Sequence, residues 1–161
     1  MDTAKEGGEQ AIHRAAHWGR VEVVRLLLAR GADPEAKTGA DWRPLHYAAV
    51  RKDAEVVKLL LSKWVDVEAC DVLGWHPLHC AARNDNGEVL ELLLEYGADP
   101  RFHNHEGKKP REMCKKKETR AMLQKAEDEW NDPAARERKA LAEHLRRQRK
   151  LGALRPKGPS L

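Results

Sequence analysis

Apolar residues recur along this chain as pairs of short stripes with helical spacing. Ala11, Ile12, Ala15 and Ala16 fall on one face of a helix, and a second apolar stripe follows over residues 23–28. The same pair of stripes returns over residues 45–49 and 56–61, and again over residues 78–82 and 92–93. Each predicted helix pair is too small to bury its apolar face alone, so the pattern predicts an all-α chain of stacked helix pairs.

A fixed step of 33 residues joins these helix pairs. The step separates three sets of equivalent positions: His13, His46 and His79; Pro44, Pro77 and Pro110; and the loop triplets at residues 31–33, 64–66 and 97–99. A period of 33 that carries a Pro-Leu-His-x-Ala-Ala signature, clearest at residues 77–82, resembles the ankyrin repeat. The resemblance implies an ankyrin-repeat α-solenoid, in which each repeat contains a helix, a turn, a second helix and a loop.

Three clear repeats are predicted, over residues 5–37, 38–70 and 71–103, after an N-terminal tail of residues 1–4. A fourth unit, residues 104–126, keeps the proline but becomes polar. In this unit Arg111 replaces the leucine, Glu112 the histidine and Lys115 the second alanine. Because the last repeat of a stack needs a solvated outer face, we interpret this unit as a degenerate C-terminal capping repeat.

Two residues of the second repeat depart from the family pattern. Asp53 stands in place of the glycine between the two helices, and Trp64 stands in place of the helix-ending glycine. Asp tolerates a left-handed backbone better than most residues, whereas Trp tolerates it poorly, so we expect an altered junction at Trp64. A positive φ at Trp64 would mean a strained backbone. In the third repeat Gly87 comes late, and the turn over residues 84–87 is expected to be rearranged.

A basic segment follows the repeats. Residues 127–151 are predicted to contain a basic C-terminal helix that starts at Asp132 and Pro133, and residues 152–161, rich in Gly and Pro, are predicted to be disordered. The whole chain has a net charge of +4, whereas residues 134–150 hold seven Lys or Arg against two Glu, an excess of +5. The basic character therefore belongs to this segment rather than to the repeats.

The sequence leaves several interpretations of the basic helix open. It is a solvated helix of mixed charge, a nuclear-import signal, a nucleic-acid contact, or a helix that folds on a protein partner. The residues that would carry the import signal or the nucleic-acid contact are Arg146, Arg147, Arg149 and Lys150. No interleaved aromatic residues support base stacking, so nucleic acid is the less favoured partner.

The repeated histidines are predicted to be scaffold residues rather than metal ligands. A 33-residue step places them roughly 10 Å apart, whereas ligands of a single metal ion lie within ~2 Å of it. His103, His105 and Cys114 form only a weak metal motif, and no catalytic or phosphate-binding motif was found. We therefore predict no metal, no cofactor and no enzymatic activity.

The cysteine content and the hydropathy pattern bear on the compartment. Three cysteines without close-spaced partners favour a reducing environment. No apolar run reaches the ~18 residues of a membrane span, and the N-terminus lacks the apolar core of a signal peptide. We expect a soluble intracellular protein, in the cytoplasm, the nucleus or both, that is monomeric on its own.

The family resemblance implies that partners bind at the loop tips and at the exposed face of the inner helices. The residues that match these positions are Trp18, Trp42, Arg51, Trp75, Arg83, Asn84 and Lys108. Trp and Arg are enriched at binding hot spots, so an exposed row of them favours a contact surface. The alternative is that each tryptophan lies flat against its own repeat and covers the neighbouring loop.

These expectations lead to two functional hypotheses. The favoured one is non-catalytic binding of another protein, as an adaptor or regulator that uses the loop tips and the inner-helix surface. The alternative is a nuclear or nucleic-acid-associated regulator that acts through the basic C-terminal helix.

Overall fold

The computed structural model describes residues 8–153, without several side chains of the last helix. Within these residues the chain forms nine helices: α1 Ala11–His17, α2 Val21–Ala29, α3 Pro44–Val50, α4 Ala54–Leu61, α5 Pro77–Arg83, α6 Gly87–Glu95, α7 Pro110–Met113, α8 Lys117–Asn131 and α9 Pro133–Ala153. The predicted N-terminal tail, residues 1–4, lies outside the described residues. Helix α9 extends two residues into the segment predicted to be disordered, and the remainder of that segment, residues 154–161, also lies outside them.

The helices form two layers. The inner layer contains α1, α3, α5 and α7, each packed against the next, and the outer layer contains α2, α4 and α6, packed in the same order. The two helices of each repeat also pack against one another, α8 packs against α7, and α9 packs against α8. This arrangement of helix pairs in series confirms the predicted α-solenoid.

Small residues and prolines allow the inner helices to pack closely. Pro44, Pro77 and Pro110 are the first residues of α3, α5 and α7, where the missing N–H would have had no partner within the helix. Ala49 and Ala82 are fully buried between neighbouring layers. The sequence signature therefore sets both the start of each inner helix and the short distance to the next one.

Equivalent outer-helix residues show how much each repeat depends on its neighbour. Val23, Val56 and Val89 occupy the same position in successive repeats, and their exposures are 47%, 1% and 0%. Val23 is exposed because no described helix pair precedes α2, whereas the other two valines are covered by the preceding repeat. Full burial of such a side chain contributes roughly 1.5–3 kcal/mol, so stacking is a major source of stability.

Two buried histidines connect the second repeat to the third and the third repeat to the cap. Nδ1 of each accepts the main-chain N–H three residues earlier, at 3.1 Å for His46 and 3.2 Å for His79. Because Nδ1 accepts, the proton is on Nε2, which donates at 3.0 Å to the carbonyl of Trp75 from His46 and to that of Lys108 from His79. Both carbonyls belong to the following repeat, as a scaffold role predicts.

The first histidine makes a different contact, and burial keeps the other two neutral. Nε2 of His13 lies 2.7 Å from the carbonyl oxygen of Ala36, which is still in the first repeat.

Burial lowers the pKa of His46, and it lowers the pKa of His79 to about 4. Both imidazoles are therefore neutral at pH 7, in the form that accepts at Nδ1 and donates at Nε2.

A left-handed backbone recurs at the end of each outer helix. The residues are Gly31, Trp64 and Gly97, with φ of 87°, 60° and 100°. Glycine has no Cβ to clash in this conformation, but for other residues it costs roughly 1–2 kcal/mol. Trp64 thus has the positive φ that we took as the sign of strain, because the fold imposes the glycine conformation on a tryptophan.

The turns between the helices differ in part from expectation. Asp53 does not adopt a left-handed conformation: its φ is −88°, and its carboxylate accepts the N–H of Glu55 at 3.0 Å as the cap of α4. In the third repeat Asp85 is left-handed, with φ 49°, Asn86 caps α6, and Gly87 is the first residue of that helix. The expected rearrangement is therefore present, but the special backbone angle belongs to Asp85 and not to Gly87.

Replacing Trp64 should separate backbone strain from the loss of the indole ring. Trp64→Gly and Trp64→Ala both remove the ring, but only the glycine variant removes the strained Cβ. We expect the glycine variant to have a free energy of unfolding about 1 kcal/mol higher than the alanine variant, as measured by urea denaturation. Gly31→Ala, at the equivalent position with open space around the added Cβ, should lose a similar amount. Equal stabilities of the two Trp64 variants would contradict the strain.

The depressed pKa of His79 should make stability fall in mild acid. Between the ordinary pKa of about 6.5 and the folded value of about 4, the unfolded chain binds a proton that the folded chain does not, so stability is lost as pH decreases. We expect His79→Gln to reduce the loss of unfolding free energy between pH 6.5 and pH 4.5 by roughly 2 kcal/mol. Urea denaturation at a series of pH values measures this loss.

The control for His79→Gln is Leu78→Ala, which removes a neighbouring buried side chain that does not titrate. This variant should be less stable at every pH, with the acid dependence of the original protein retained. An acid dependence in His79→Gln equal to that of the unchanged chain would show that His79 is not the group responsible.

Candidate partner-binding surface

The most exposed tryptophan of the candidate surface contacts an arginine of the next repeat. Trp18 directly follows α1 and is 59% exposed. The guanidinium carbon of Arg51, which directly follows α3, lies 5.6 Å from the centroid of the Trp18 ring. The main-chain carbonyl of Arg51 also accepts a hydrogen bond from the side chain of Asn86. The guanidinium of Arg51 thus lies over an open aromatic ring of the preceding repeat, and the following repeat fixes its main chain.

A second cation–aromatic pair lies within the third repeat. The guanidinium carbon of Arg83 is 5.4 Å from the centroid of the half-buried Trp75 ring. The carbonyl of Trp75 accepts the hydrogen bond from His46, which ties the tip carrying this ring to the preceding repeat. Arg83 ends α5, is exposed, and presents its charge at the surface of the inner layer.

Trp42 is held more tightly than a free contact residue would be. Its Nε1–H donates at 2.8 Å to Oδ2 of Asp71, and its ring meets that of Tyr47 edge-on with centroids 5.0 Å apart. Oδ1 of Asp71 accepts the N–H groups of Leu73 and Trp75, both at 2.8 Å. The buried carboxylate of Asp71 therefore bonds to the main chain of its own loop tip and also holds the indole ring at the tip of the preceding repeat.

The other two predicted contact residues are exposed but have local partners. The side-chain amide of Asn84 donates to the carbonyl of Cys80 at 2.9 Å at the end of α5. Nζ of Lys108 lies 2.9 Å from a carboxylate oxygen of Glu106. The seven predicted residues therefore divide into four at the ends of the inner helices (Trp18, Arg51, Arg83 and Asn84) and three at the tips (Trp42, Trp75 and Lys108), and Trp75 contacts Arg83. Partner binding by either group stays a prediction.

Further cations that the sequence interpretation omitted lie on the same part of the surface. Lys52 follows Arg51, and Lys116 and Lys117 stand where α7 gives way to α8; all three are exposed. Lys116 lies 33 residues after Arg83, and Lys117 lies 66 after Arg51. The repeat period identifies both lysines as counterparts of surface positions in earlier repeats. The polar sequence of the fourth unit was interpreted only as a solvated cap, so the two lysines were not predicted.

Comparison with known protein families decides the identity of the repeats. A family model described as ankyrin repeats (3 copies) matches residues 36–104, and a single ankyrin repeat model matches residues 7–39. The chain belongs to the ankyrin repeat family. The matched residues extend to the start of the predicted cap. Ankyrin repeats bind other proteins and are in general not catalytic, which implies a protein partner for this ankyrin stack.

One curated relative is similar to this chain over a short stretch. The mouse protein phosphatase 1 regulatory subunit 27 is 40% identical over 48 residues, which cover 30% of this chain and 31% of the mouse protein. The match thus spans about a third of the mouse protein. A match of this length does not assign the activity or the partners of the whole mouse protein to this chain.

The C-terminal helix of this ankyrin protein packs beside the last repeats. Two cations contact the ring of Trp130: Nζ of Lys139 is 3.8 Å from its centroid, and the guanidinium carbon of Arg101 is 5.7 Å away. Burial lowers the pKa of Lys139. A cleft of about 900 Å³ is lined by residues of α6, α8 and α9. The side chains of Arg146, Arg147, Arg149 and Lys150 lie outside the described residues, so the import and nucleic-acid interpretations stay predictions.

The weak metal motif is dispersed around the cap of the ankyrin stack. His103 and His105 are exposed, whereas Cys114 is buried, with Sγ 3.8 Å from the carbonyl oxygen of Pro110, and burial raises the pKa of its thiol. Among residues 8–153, no three His, Cys, Asp or Glu side chains gather as they would around a metal ion. In the same range no helix combines the length and apolar character needed to cross a membrane.

A double-mutant cycle tests the contact between Asp71 and Trp42. Asp71→Asn keeps an oxygen for the backbone N–H groups but replaces Oδ2 by a donor, and Trp42→Phe removes the indole N–H. We expect a coupling energy of about 1.5 kcal/mol in urea denaturation, as for a hydrogen bond to a charged group. Asp53→Asn with Trp42→Phe, which share no contact, should be additive within ~0.5 kcal/mol. Additivity of the first pair would show that the contact is absent in solution.

Proposed function

We propose that this ankyrin protein is a non-catalytic adaptor or regulator that holds another protein on its inner-helix face, with support from the loop tips. The observation that carries the proposal is the pair of cation–aromatic contacts, the exposed Trp18 with the half-buried Arg51 and the half-buried Trp75 with the exposed Arg83. Both lie on the side of the stack formed by successive inner helices. Trp and Arg supply much of the binding energy at protein interfaces.

The surroundings of these pairs favour a preformed surface. Packing against an aromatic ring restricts each arginine before a partner arrives, so less conformational entropy is lost on binding. The repeats beneath are joined by buried histidines and by a continuous apolar core, so the spacing between the pairs is also restricted. The exposed ring of Trp18 contributes nothing to solubility, which makes contact with a partner the simpler reason for its position.

A regulatory role has further support in the mouse relative, which is named as a regulatory subunit of protein phosphatase 1. Its short match makes a phosphatase the first class of partner to examine. We propose the cytoplasm or the nucleus as the place of action. The free thiols of Cys70, Cys80 and Cys114 fit a reducing compartment.

Affinity capture with matched variants tests the proposal. The surface variant is W18A/R51A/R83A, and the control variant R25A/R30A/K63A removes one exposed cation from within α2 and two that lie just beyond the ends of α2 and α4. Both should melt close to the unchanged chain, because none of the six side chains is buried. Proteins enriched by the unchanged chain should be recovered about tenfold less by the surface variant and equally by the control. Equal recovery by the surface variant would contradict the proposal.

A further inference from the structure

The N-terminal end of the stack exposes a face that the second and third repeats bury. Trp18, Val23 and Leu26 are 59%, 47% and 50% exposed, although the terminal repeat of a stack needs a polar outer face. A groove of about 570 Å³ opens on this face, and it is lined by Ala11, Arg14, Ala15, Trp18, Arg20 and Val23. Within residues 8–153 no helix pair precedes this face. We call it the open end, and its members are Arg14, Trp18, Arg20, Val23 and Leu26.

The second repeat shows what covers the apolar part of this face. Val56, the counterpart of Val23, is 1% exposed, and Leu59, the counterpart of Leu26, is half-buried. Helix α4, which carries both residues, packs against α2 of the preceding repeat, and α3 packs against α1. Where this face is covered, a pair of helices therefore covers it.

The counterpart of Arg14 identifies an acidic position in the covering repeat. This counterpart is Tyr47, whose ring meets the rings of His13 and His17 edge-on, with centroids 5.6 Å and 5.8 Å apart. Burial raises the pKa of Tyr47, and the carboxylate of Glu9 raises it further. The covering repeat thus presents a carboxylate close to this position, and an arginine there suits that carboxylate better than a tyrosine does.

The counterpart of Arg20 identifies a helix end in the covering repeat. In the third repeat this counterpart is Asn86, whose side-chain amide donates to the carbonyl of Arg51, the residue that directly follows α3. The C-terminus of a helix has unpaired carbonyls and a partial negative charge. Arg20 is also a donor and adds a positive charge, so it suits the same kind of helix end.

We propose that the open end docks a two-helix segment of a partner protein, which stacks on α1 and α2 as a preceding ankyrin repeat would. The segment places an acidic side chain at Arg14, the C-terminus of a helix at Arg20, and an apolar face on Val23 and Leu26. The inference goes beyond the proposed function, because it adds a second surface and does not use the arginines that end the later inner helices.

Two other occupants match the open end less well. A second copy of the chain would bring Arg14 and Arg20 of both copies to one interface, which like charges oppose. Glu22 on the same helix is already paired with Arg25, at 3.6 Å. Residues 1–7 contain a single large apolar side chain, too few to replace a pair of helices.

Fluorescence anisotropy with a labelled helix hairpin tests the inference on the full chain. The first probe copies residues 8–37, the repeat that covers the second repeat, with a disulfide between its helices and Val23→Asp to prevent self-association. Because Arg14 and Tyr47 are equivalent, the Glu9 of the probe should lie close to Arg14 of the full chain. The second probe also carries Glu9→Lys, and we expect the unchanged chain to bind it about tenfold more weakly than the first.

Matched variants of the full chain locate the site. V23D and R14E should each weaken binding of the first probe about tenfold, whereas L73D and K63E, similar changes at exposed residues away from the open end, should leave it within about twofold. R14E should also reverse the preference and bind the second probe more tightly than the first. All of these positions are exposed, so the variants should melt close to the unchanged chain.

Several results would overturn the inference. They are equal binding of the two probes, equal effects of the open-end and control variants, and an unreversed preference in R14E. A dimer of the unchanged chain in light scattering that V23D abolishes would also overturn it, because the occupant would then be a second copy. V23D leaves Arg51 and Arg83 in place, so its capture of proteins by the inner-helix face reports on the proposed function separately.

Discussion

A pair of helices shorter than ten residues each cannot enclose its own apolar side chains, and this constraint governs the whole molecule. The apolar face of each repeat is completed only by a neighbouring repeat, as the burial of Val56 and Val89 beside a preceding repeat and the exposure of Val23 demonstrate. The buried histidines add a polar connection at the same interface, with a proton fixed on Nε2 by the bond that Nδ1 accepts. Stability therefore belongs to the contacts between repeats more than to any repeat by itself.

The same constraint explains which residues can vary. Core positions and turn positions repeat every 33 residues because each repeat must present the same shape to its neighbours. Trp64 shows the cost of replacing a turn glycine. Its position has a positive φ, as do the equivalent positions Gly31 and Gly97, but Trp64 has a Cβ that this conformation strains. Exposed positions at the ends of the inner helices, such as those of Trp18 and Arg83, are not part of the core and carry no such demand.

The period allowed the stack, the starts of the inner helices and the role of the histidines to be predicted from sequence. Trp18 and Arg51 occupy equivalent positions in adjacent repeats, so their contact also follows from the period. The hydrogen bond from Trp42 to Asp71 does not follow from the period, because it joins non-equivalent positions of two repeats and depends on side-chain orientation. The left-handed backbone of Asp85 falls 66 residues after that of Gly19, so the period indicates it. The bonds from its carboxylate to the cap about 30 residues away depend on side-chain orientation and do not follow from the period.

Native-state hydrogen exchange on the full chain measures the dependence of each repeat on its neighbours most directly. The account predicts the strongest amide protection in α3 to α6, which have a packed repeat on both sides, and clearly weaker protection in α2, where Val23 lacks a cover. Protection in α2 equal to that in α4 would contradict the claim that contacts between repeats hold this protein together.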